Sequence, residues 1–342
     1  MSEEVASGAR RQQAQAQHQT QTQCQAQPQH QVKTQRQPRP QALLSVDFED
    51  WHQLVRRRLG DAGWRQRTDA LPRQTHRLLA LFDELGVKAT FFVLGIAARA
   101  YPELVELIAA DGHEIASHGD QHRPVHTQTI AELSADLRSA RQTIEQITGR
   151  SPRGYRAPAF SITQSARWAY EVLVAEGFDY DSSVHDSPRI RRRITPPSAS
   201  PHLVQLPGGS IWELPLAVWR IGGMPLPVGG ASYWSLLPRS VVLGGLHRAG
   251  SMPALYLHPH ELDPQPLRSG LSHSAGPSQR VRARARELRR NAARRRAAPI
   301  VRAIAQHFEL ITYREAHAEL EASRCARPGA LPNEGEGLRR PL

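Results

Sequence analysis

Cysteine is almost missing from this 342-residue sequence: the two present, Cys24 and Cys325, lie near opposite ends. A pair so placed supplies neither a disulfide framework nor the thiolate set of a zinc cage. Aromatic residues are sparse, at 6%. No apolar run approaches the roughly 18 to 20 residues that a membrane-crossing helix requires. The opening MSEEVASGARRQQAQ lacks the apolar core of a secretory leader, so a cytoplasmic location is expected. These absences exclude a membrane-spanning protein and a disulfide-stapled secreted module. The length that remains is ample for one large buried core.

What is abundant is unevenly spread. From Gln12 to Gln41 glutamine alternates with Ala, Thr, His, Pro and Arg, a composition that cannot offset its own ordering entropy. It predicts a disordered tail over 1–41, one folded domain over 42–320 and a flexible end over 321–342. The net charge of +12 is concentrated too: nine arginines between Arg280 and Arg296 face a single acid, Glu287. Two readings of that run stay open. It is either a solvated helix leading to Ile300, Val301 and Ile304, or a surface for anionic polymer or membrane headgroups. No helix-turn-helix, zinc finger or aromatic-basic strand pattern accompanies it, so no nucleic-acid partner is expected.

Between the tails, strands and helices alternate. Ala42 to Val46 reads as a buried strand delivering Asp47, and Lys88–Leu94, His113–Ser117, Arg153–Arg156, Phe178–Asp181, Ile211–Leu214, Ala254–His258 and Phe308–Thr312 read as further strands. Leu78, Leu79, Leu81, Phe82 and Leu85 recur at helical spacing before Gly86. Leu133, Leu137, Ala140, Ile144 and Ile147 do so before Gly149, and further helices are expected at 102–110 and 164–176. Ser187 to Pro201 reads as an inserted loop. Such alternation argues an α/β fold built on a parallel sheet or barrel.

The ionisable residues gather at strand ends. Asp47, Glu49 and Asp50 follow the first strand, His118 and His122 the third, and Arg156, Asp181 and His258 three later ones. In a parallel barrel those ends converge on one site. His118 and His122, four apart, would share one face of a helical turn and reach a single ion. A strand-end carboxylate would complete a two-histidine, one-acid set with open positions. Arg156 can hold an acid ionised and oriented, and His258 is placed as a proton donor.

These segments resemble the NodB-type polysaccharide deacetylases, carbohydrate esterase family 4. The resemblance rests on Ser45-Val-Asp-Phe-Glu-Asp-Trp51, Ala89-Thr-Phe-Phe-Val-Leu-Gly95, Gly112-His-Glu-Ile-Ala-Ser-His-Gly-Asp-Gln-His122, Gly154-Tyr-Arg-Ala-Pro-Ala-Phe-Ser161, Phe178-Asp-Tyr-Asp-Ser-Ser183 and Tyr256-Leu-His-Pro-His-Glu261. It covers about Leu43 to Ala316, and the wording is similar to the subgroup found beside exosortase-linked exopolysaccharide genes. The resemblance implies a distorted (β/α) barrel of about seven parallel strands holding one divalent metal, usually zinc. Asp47 then matches the catalytic base, Arg156 its orienting arginine, His258 the acid, and His118 and His122 the metal pair. The metal carboxylate stays open: strand alternation favours Glu49, whereas a turn after Phe48 would bring Asp50 instead.

The implied reaction is hydrolysis of N-acetyl groups on N-acetylhexosamine units of a bacterial exopolysaccharide or its precursor, releasing acetate. Backbone near Ala159 or Phe160 would bind the oxyanion, with Leu257 a further substrate contact. The acid that orients His258 has no secure match, Asp181 and Glu213 being the candidates. Ala159 stands where the wider family often has Tyr, and His260 where the subgroup usually has Trp. Trp212, Trp219 and Trp234 would line a sugar groove or fill the core. Peripheral association with membrane-bound polysaccharide machinery is a further expectation. The rival functions are a related barrel hydrolase acting on another non-peptide amide, and an inactive barrel binding anionic polymer through its arginine run.

Overall fold

A computed structural model of the chain describes residues 39–186, 200–234, 236–291 and 297–326. Most of the expected glutamine-rich tail, the loop over 187–199 and the end beyond 326 lie outside the described residues. Eleven strands are found among the described residues: β1 (Gln41–Phe48), β2 (Thr90–Val93), β3 (Glu114–Ser117), β4 (Gly154–Tyr155), β5 (Tyr180–Asp181), β6 (His202–Leu206), β7 (Gly209–Glu213), β8 (Val218–Ile221), β9 (Met224–Pro227), β10 (Ala254–Leu257) and β11 (Glu309–Ile311).

Seven of these form the ring, in the order β10-β1-β2-β3-β4-β5-β7, and every neighbouring pair is parallel. The ring closes just beyond β7, where Leu216 bridges Ala254 and the Ala217 N–H donates to Ala254 O at 3.0 Å. It is a distorted (β/α) barrel: β4 and β5 are two residues long, and β3 meets β4 only through Ser117 and Tyr155. β11 adds to the start of β1, pairing Gln41 with Glu309. Two features lie outside the sequence expectation: β6 pairs antiparallel with β7, and β8 and β9 form a separate hairpin.

Strand alternation sorts β1 into two environments. Leu44, Val46 and Phe48 join Leu71, Leu78 and Phe82 in the layer under the helices. Ser45 and Asp47, on the alternate positions, face the other way and are buried as well. Leu43, Phe92, Tyr180, Trp212, Tyr256 and Tyr313 form a second, inner cluster.

The helices end where local chemistry ends them. Ala70–Leu85 stops at Gly86 with φ 63°, and Ile130–Thr148 starts on a Thr129–Glu132 capping box and stops at Gly149 with φ 69°. The helix expected over 164–176 is instead a 3₁₀ turn, Gln164–Ala166, then a helix, Ala169–Ala175. Thr163 and Ser165 hydroxyls pair with each other at 3.0 Å there, the local bonding that makes such residues poor helix interior. Gln41 pairs with Glu309 in the sheet, and the last helix spans Tyr313–Ala326 with Tyr313 and Ala316 buried.

Gly154 shows how tightly the ring is filled: a Cβ there would lie 2.1 Å from the Tyr180 ring. Gly154→Ala is expected to cost about 1–3 kcal/mol as overpacking. Thermal unfolding checks this, and an unchanged midpoint would contradict the tight contact.

Candidate active site

Arg156, immediately after β4, is fully buried. A guanidinium in such surroundings must use all its donors. It does so: Nη1 donates to Asp47 Oδ1 at 2.6 Å and Ser45 Oγ at 2.9 Å, Nη2 to Ser182 Oγ at 3.0 Å and Tyr313 OH at 2.8 Å, and Nε to Ser182 O at 3.2 Å. The cation also sits 4.0 Å above the Phe92 ring. Burial opposes its charge, but Asp47 outweighs that and its pKa is raised. Asp47 is thereby held through one oxygen, with Oδ2 turned toward His258 Nε2, 4.0 Å away.

Next to this pair, one ligand atom each from Glu49, His118 and His122 lie within 4.8 Å of one another. His118 follows β3, and its Nδ1 meets the Arg156 carbonyl oxygen at 2.8 Å, which directs Nε2 at the group. Burial lowers its pKa to about 4, so the ring is neutral at physiological pH. Glu49 Oε2 lies 2.9 Å from His122 Nε2. Burial would raise the Glu49 pKa, but the surrounding histidines, His122 foremost, bring it well below the ordinary value. Two imidazoles and one carboxylate, with sides left open, suit a divalent ion such as zinc.

The two histidines do not lie on a helix, as their spacing predicts. They sit on a loop with Gly119 at φ 71° and His122 at φ 52°. Asp136 pins that loop, accepting from Asp120 N at 2.7 Å and Gln121 N at 3.0 Å, and a Cβ on Gly119 would come within 2.8 Å of the same carboxylate. The rings end with centroids 5.5 Å apart.

Asp50 stands apart from the group. It caps the helix Trp51–Arg58, accepting from His52 N at 2.8 Å and from Tyr101 OH at 2.9 Å. A new helix starts there, and its unpaired N–H groups claim the carboxylate. Of the two acids left open by the sequence, Glu49 is the one beside the histidines.

His258 follows β10. Glu261 Oε2 accepts from its backbone N–H at 2.9 Å and lies 3.3 Å from its Nδ1. Burial disfavours a charged imidazole, but Glu261, then Glu49 and Asp47, raise the His258 pKa. Ser232 Oγ donates to Glu261 Oε1 at 2.5 Å, and Arg290 in turn donates to Ser232 Oγ at 2.9 Å. The acid in contact with His258 is therefore Glu261 and not Asp181. Asp181 binds Ser183 Oγ at 2.7 Å and sits beside Glu213, whose own oxygens take Tyr170 OH and Val184 N. Burial and Asp181 push Glu213 well above the usual carboxylate range, so that pair belongs to the framework. The signal for Glu261 is local: it stands three residues past a strand-end His258, the spacing of a capping box.

Other expectations also move. Phe160 N–H donates to Ala157 O at 3.0 Å and is committed to its turn, whereas Ala159 is exposed at φ 56°. Leu257 points into the layer under the helices with Val46 and Phe48, away from the polar groups, because β10 alternates as β1 does. Trp212 and Trp234 are core residues, bonded through Nε1 to Glu321 and Val228 O. His260 is buried with its ring centroid 5.1 Å from that of His258.

Residues 61–176 match the polysaccharide deacetylase family, and residues 182–317 match a domain of unknown function (DUF3473). A peptidoglycan deacetylase of Helicobacter pylori is 32% identical over 108 residues, 32% of this chain and 36% of that one. A chitin deacetylase of Colletotrichum lindemuthianum is 33% identical over 92 residues, 25% of this chain and 37% of that one. The chain thus spans little more than a third of the length of these curated relatives. A solved structure from Mycobacterium smegmatis, assigned to the polysaccharide deacetylases, shares the fold with a TM-score of 0.56 at 20% identity, over 90% of this chain and 97% of that one.

Zinc titration of chelator-stripped protein separates the two neighbouring acids. Glu49→Ala is expected to weaken zinc uptake by more than the roughly 10–100-fold that loss of an outer-shell partner costs. Asp50→Ala should leave uptake intact and lower folding stability by about 0.5–2 kcal/mol, as loss of an N-cap does.

Proposed function

We propose that this protein removes N-acetyl groups from N-acetylhexosamine units of a bacterial glycan, with zinc held by Glu49, His118 and His122, a reading supported by the match of residues 61–176 to the polysaccharide deacetylase family and by the resemblance to carbohydrate esterase family 4. One observation carries the reading: beside that ligand group a carboxylate on β1 and an imidazole after β10, Asp47 and His258, bring facing atoms to 4.0 Å, with His258 Nε2 3.6 Å from Glu49 Oε1. Among the curated relatives are a peptidoglycan deacetylase and a chitin deacetylase, in keeping with a glycan substrate. The resemblance to the exosortase-linked subgroup narrows the substrate to an exopolysaccharide or its precursor.

When bound, the ion supplies Lewis acidity to the acetamide carbonyl and lowers the pKa of coordinated water. The chain's own groups do the rest. Arg156 holds Asp47 by Oδ1, so Oδ2 is the oxygen that accepts the proton of the attacking water. Ala159, an exposed residue in the turn after Arg156, would offer its backbone N–H to the oxyanion. His258, its protonated form favoured by Glu261, gives its proton to the nitrogen as the C–N bond breaks. Water is consumed, and acetate and a sugar amine leave.

Chelator-stripped protein refilled with zinc is expected to release acetate from N-acetylglucosamine oligomers, and the stripped protein is not. Asp47→Asn should lower turnover by about 10²–10⁴ while zinc content holds. Normal acetate release by that variant, or turnover insensitive to chelator, would overturn the assignment. Glu261→Gln should lower kcat with little change in KM, since Glu261 acts through His258 and not on the sugar.

A further inference from the structure

The arginine-rich helix Pro277–Asn291 has two unlike sides. On one, Ala283 packs with Trp51, Val55 and Leu59, and the buried Glu287 accepts from Ser269 N at 2.6 Å and Ser269 Oγ at 2.8 Å. On the other, Val281 and Leu288 are each 70% exposed. They stand seven residues apart, two turns along one face, with Ala285 between them. Arginines flank this apolar strip. Arg284 borders it on one side, and Arg282 and Arg289, both exposed, border it on the other.

Several arginines of the helix are engaged internally: Arg280 with Ala275 O and His273 O, Arg286 with Arg282 O, and Arg290 with Ser232. Arg282 and Arg289 have no side-chain hydrogen bond or ion pair among the described residues, and Arg268 nearby has none either. Beside the helix runs a groove of about 800 Å³, whose lining includes Leu271, Val281, Ala285 and Leu288 together with Arg268 and Arg280. A hydrophilic polyanion would match the charges and gain nothing from the exposed apolar side chains. An anionic bilayer matches both: phosphate headgroups meet the guanidinium groups while the apolar strip enters the headgroup boundary.

We propose that the outward face of helix Pro277–Asn291 docks this protein on the surface of an anionic phospholipid bilayer. This goes beyond the deacetylase reading and stands or falls without it.

Co-sedimentation of the full chain with vesicles tests the docking. Binding is expected to phosphatidylcholine vesicles containing phosphatidylglycerol, to weaken as salt rises, and to be absent with phosphatidylcholine alone. Arg282→Gln with Arg289→Gln should lower the affinity by about thirtyfold and flatten the salt dependence. Val281→Ser with Leu288→Ser should weaken binding at every salt concentration without changing its slope. Both double variants should keep acetate release from a water-soluble oligosaccharide. Equal binding to neutral vesicles, binding unaffected by either double variant, or retention on heparin without vesicle binding would each overturn the proposal. The wild-type comparison decides even where a variant folds poorly.

Discussion

Arg156 and Asp47 form a charge pair almost wholly removed from water, an arrangement that costs more than it returns unless every remaining donor finds a partner. Here each does. Ser45 comes from β1 itself, Ser182 from the residue after β5, and Tyr313 from the head of the last helix. The cation therefore ties together four separate stretches of chain, while its own carbonyl sets the direction of the His118 ring. One member of the ligand group, His118, takes its orientation from the arginine of this pair. Loss of the guanidinium would leave a buried carboxylate unpaired, while the backbone carbonyl that directs His118 would remain.

The opposite wall is organised by shorter-range chemistry. His258, Pro259, His260 and Glu261 make one tight turn in which the acid bonds the backbone and the ring of the same histidine. Ser232 and Arg290 hold the second oxygen of that acid, so the arginine-rich helix reaches the site at its far end while its middle faces outward. Charge alternates along this line from Arg290 through Glu261 to His258. That alternation favours a protonated imidazole facing the carboxylates of β1.

A good deal of this is legible in the chain. The helices over Pro102–Ala110 and Ile130–Thr148 are marked by apolar spacing and by Asp111-Gly112 and Gly149 at their ends. The strands are marked by apolar runs that stop at a charged residue, which is why Asp47, His118, Arg156 and His258 stand out in the sequence itself. Less legible is what each polar group binds. The spacing of His118 and His122 suits a helix, and only the Asp136 carboxylate, fourteen residues beyond His122 on the next helix, shows that a pinned loop does the same task. Asp181 draws attention ahead of Glu261 because a strand-end acid looks functional wherever it falls, yet Asp181 is paired with Glu213 inside the framework.

Period-two and 3.6-residue patterning, glycine stops and the order of charged residues at strand ends determined by themselves the α/β class, the strand order in the chain and the short set of candidates. Those signals are local, carried by neighbours a few residues apart. Tertiary structure alone decided that Glu49 faces the histidines while Asp50 caps a helix, that Glu261 serves His258, and that Tyr313 completes the shell of Arg156. Each of those is a choice among donors and acceptors far apart in sequence, settled by which groups burial leaves within hydrogen-bonding reach of one another.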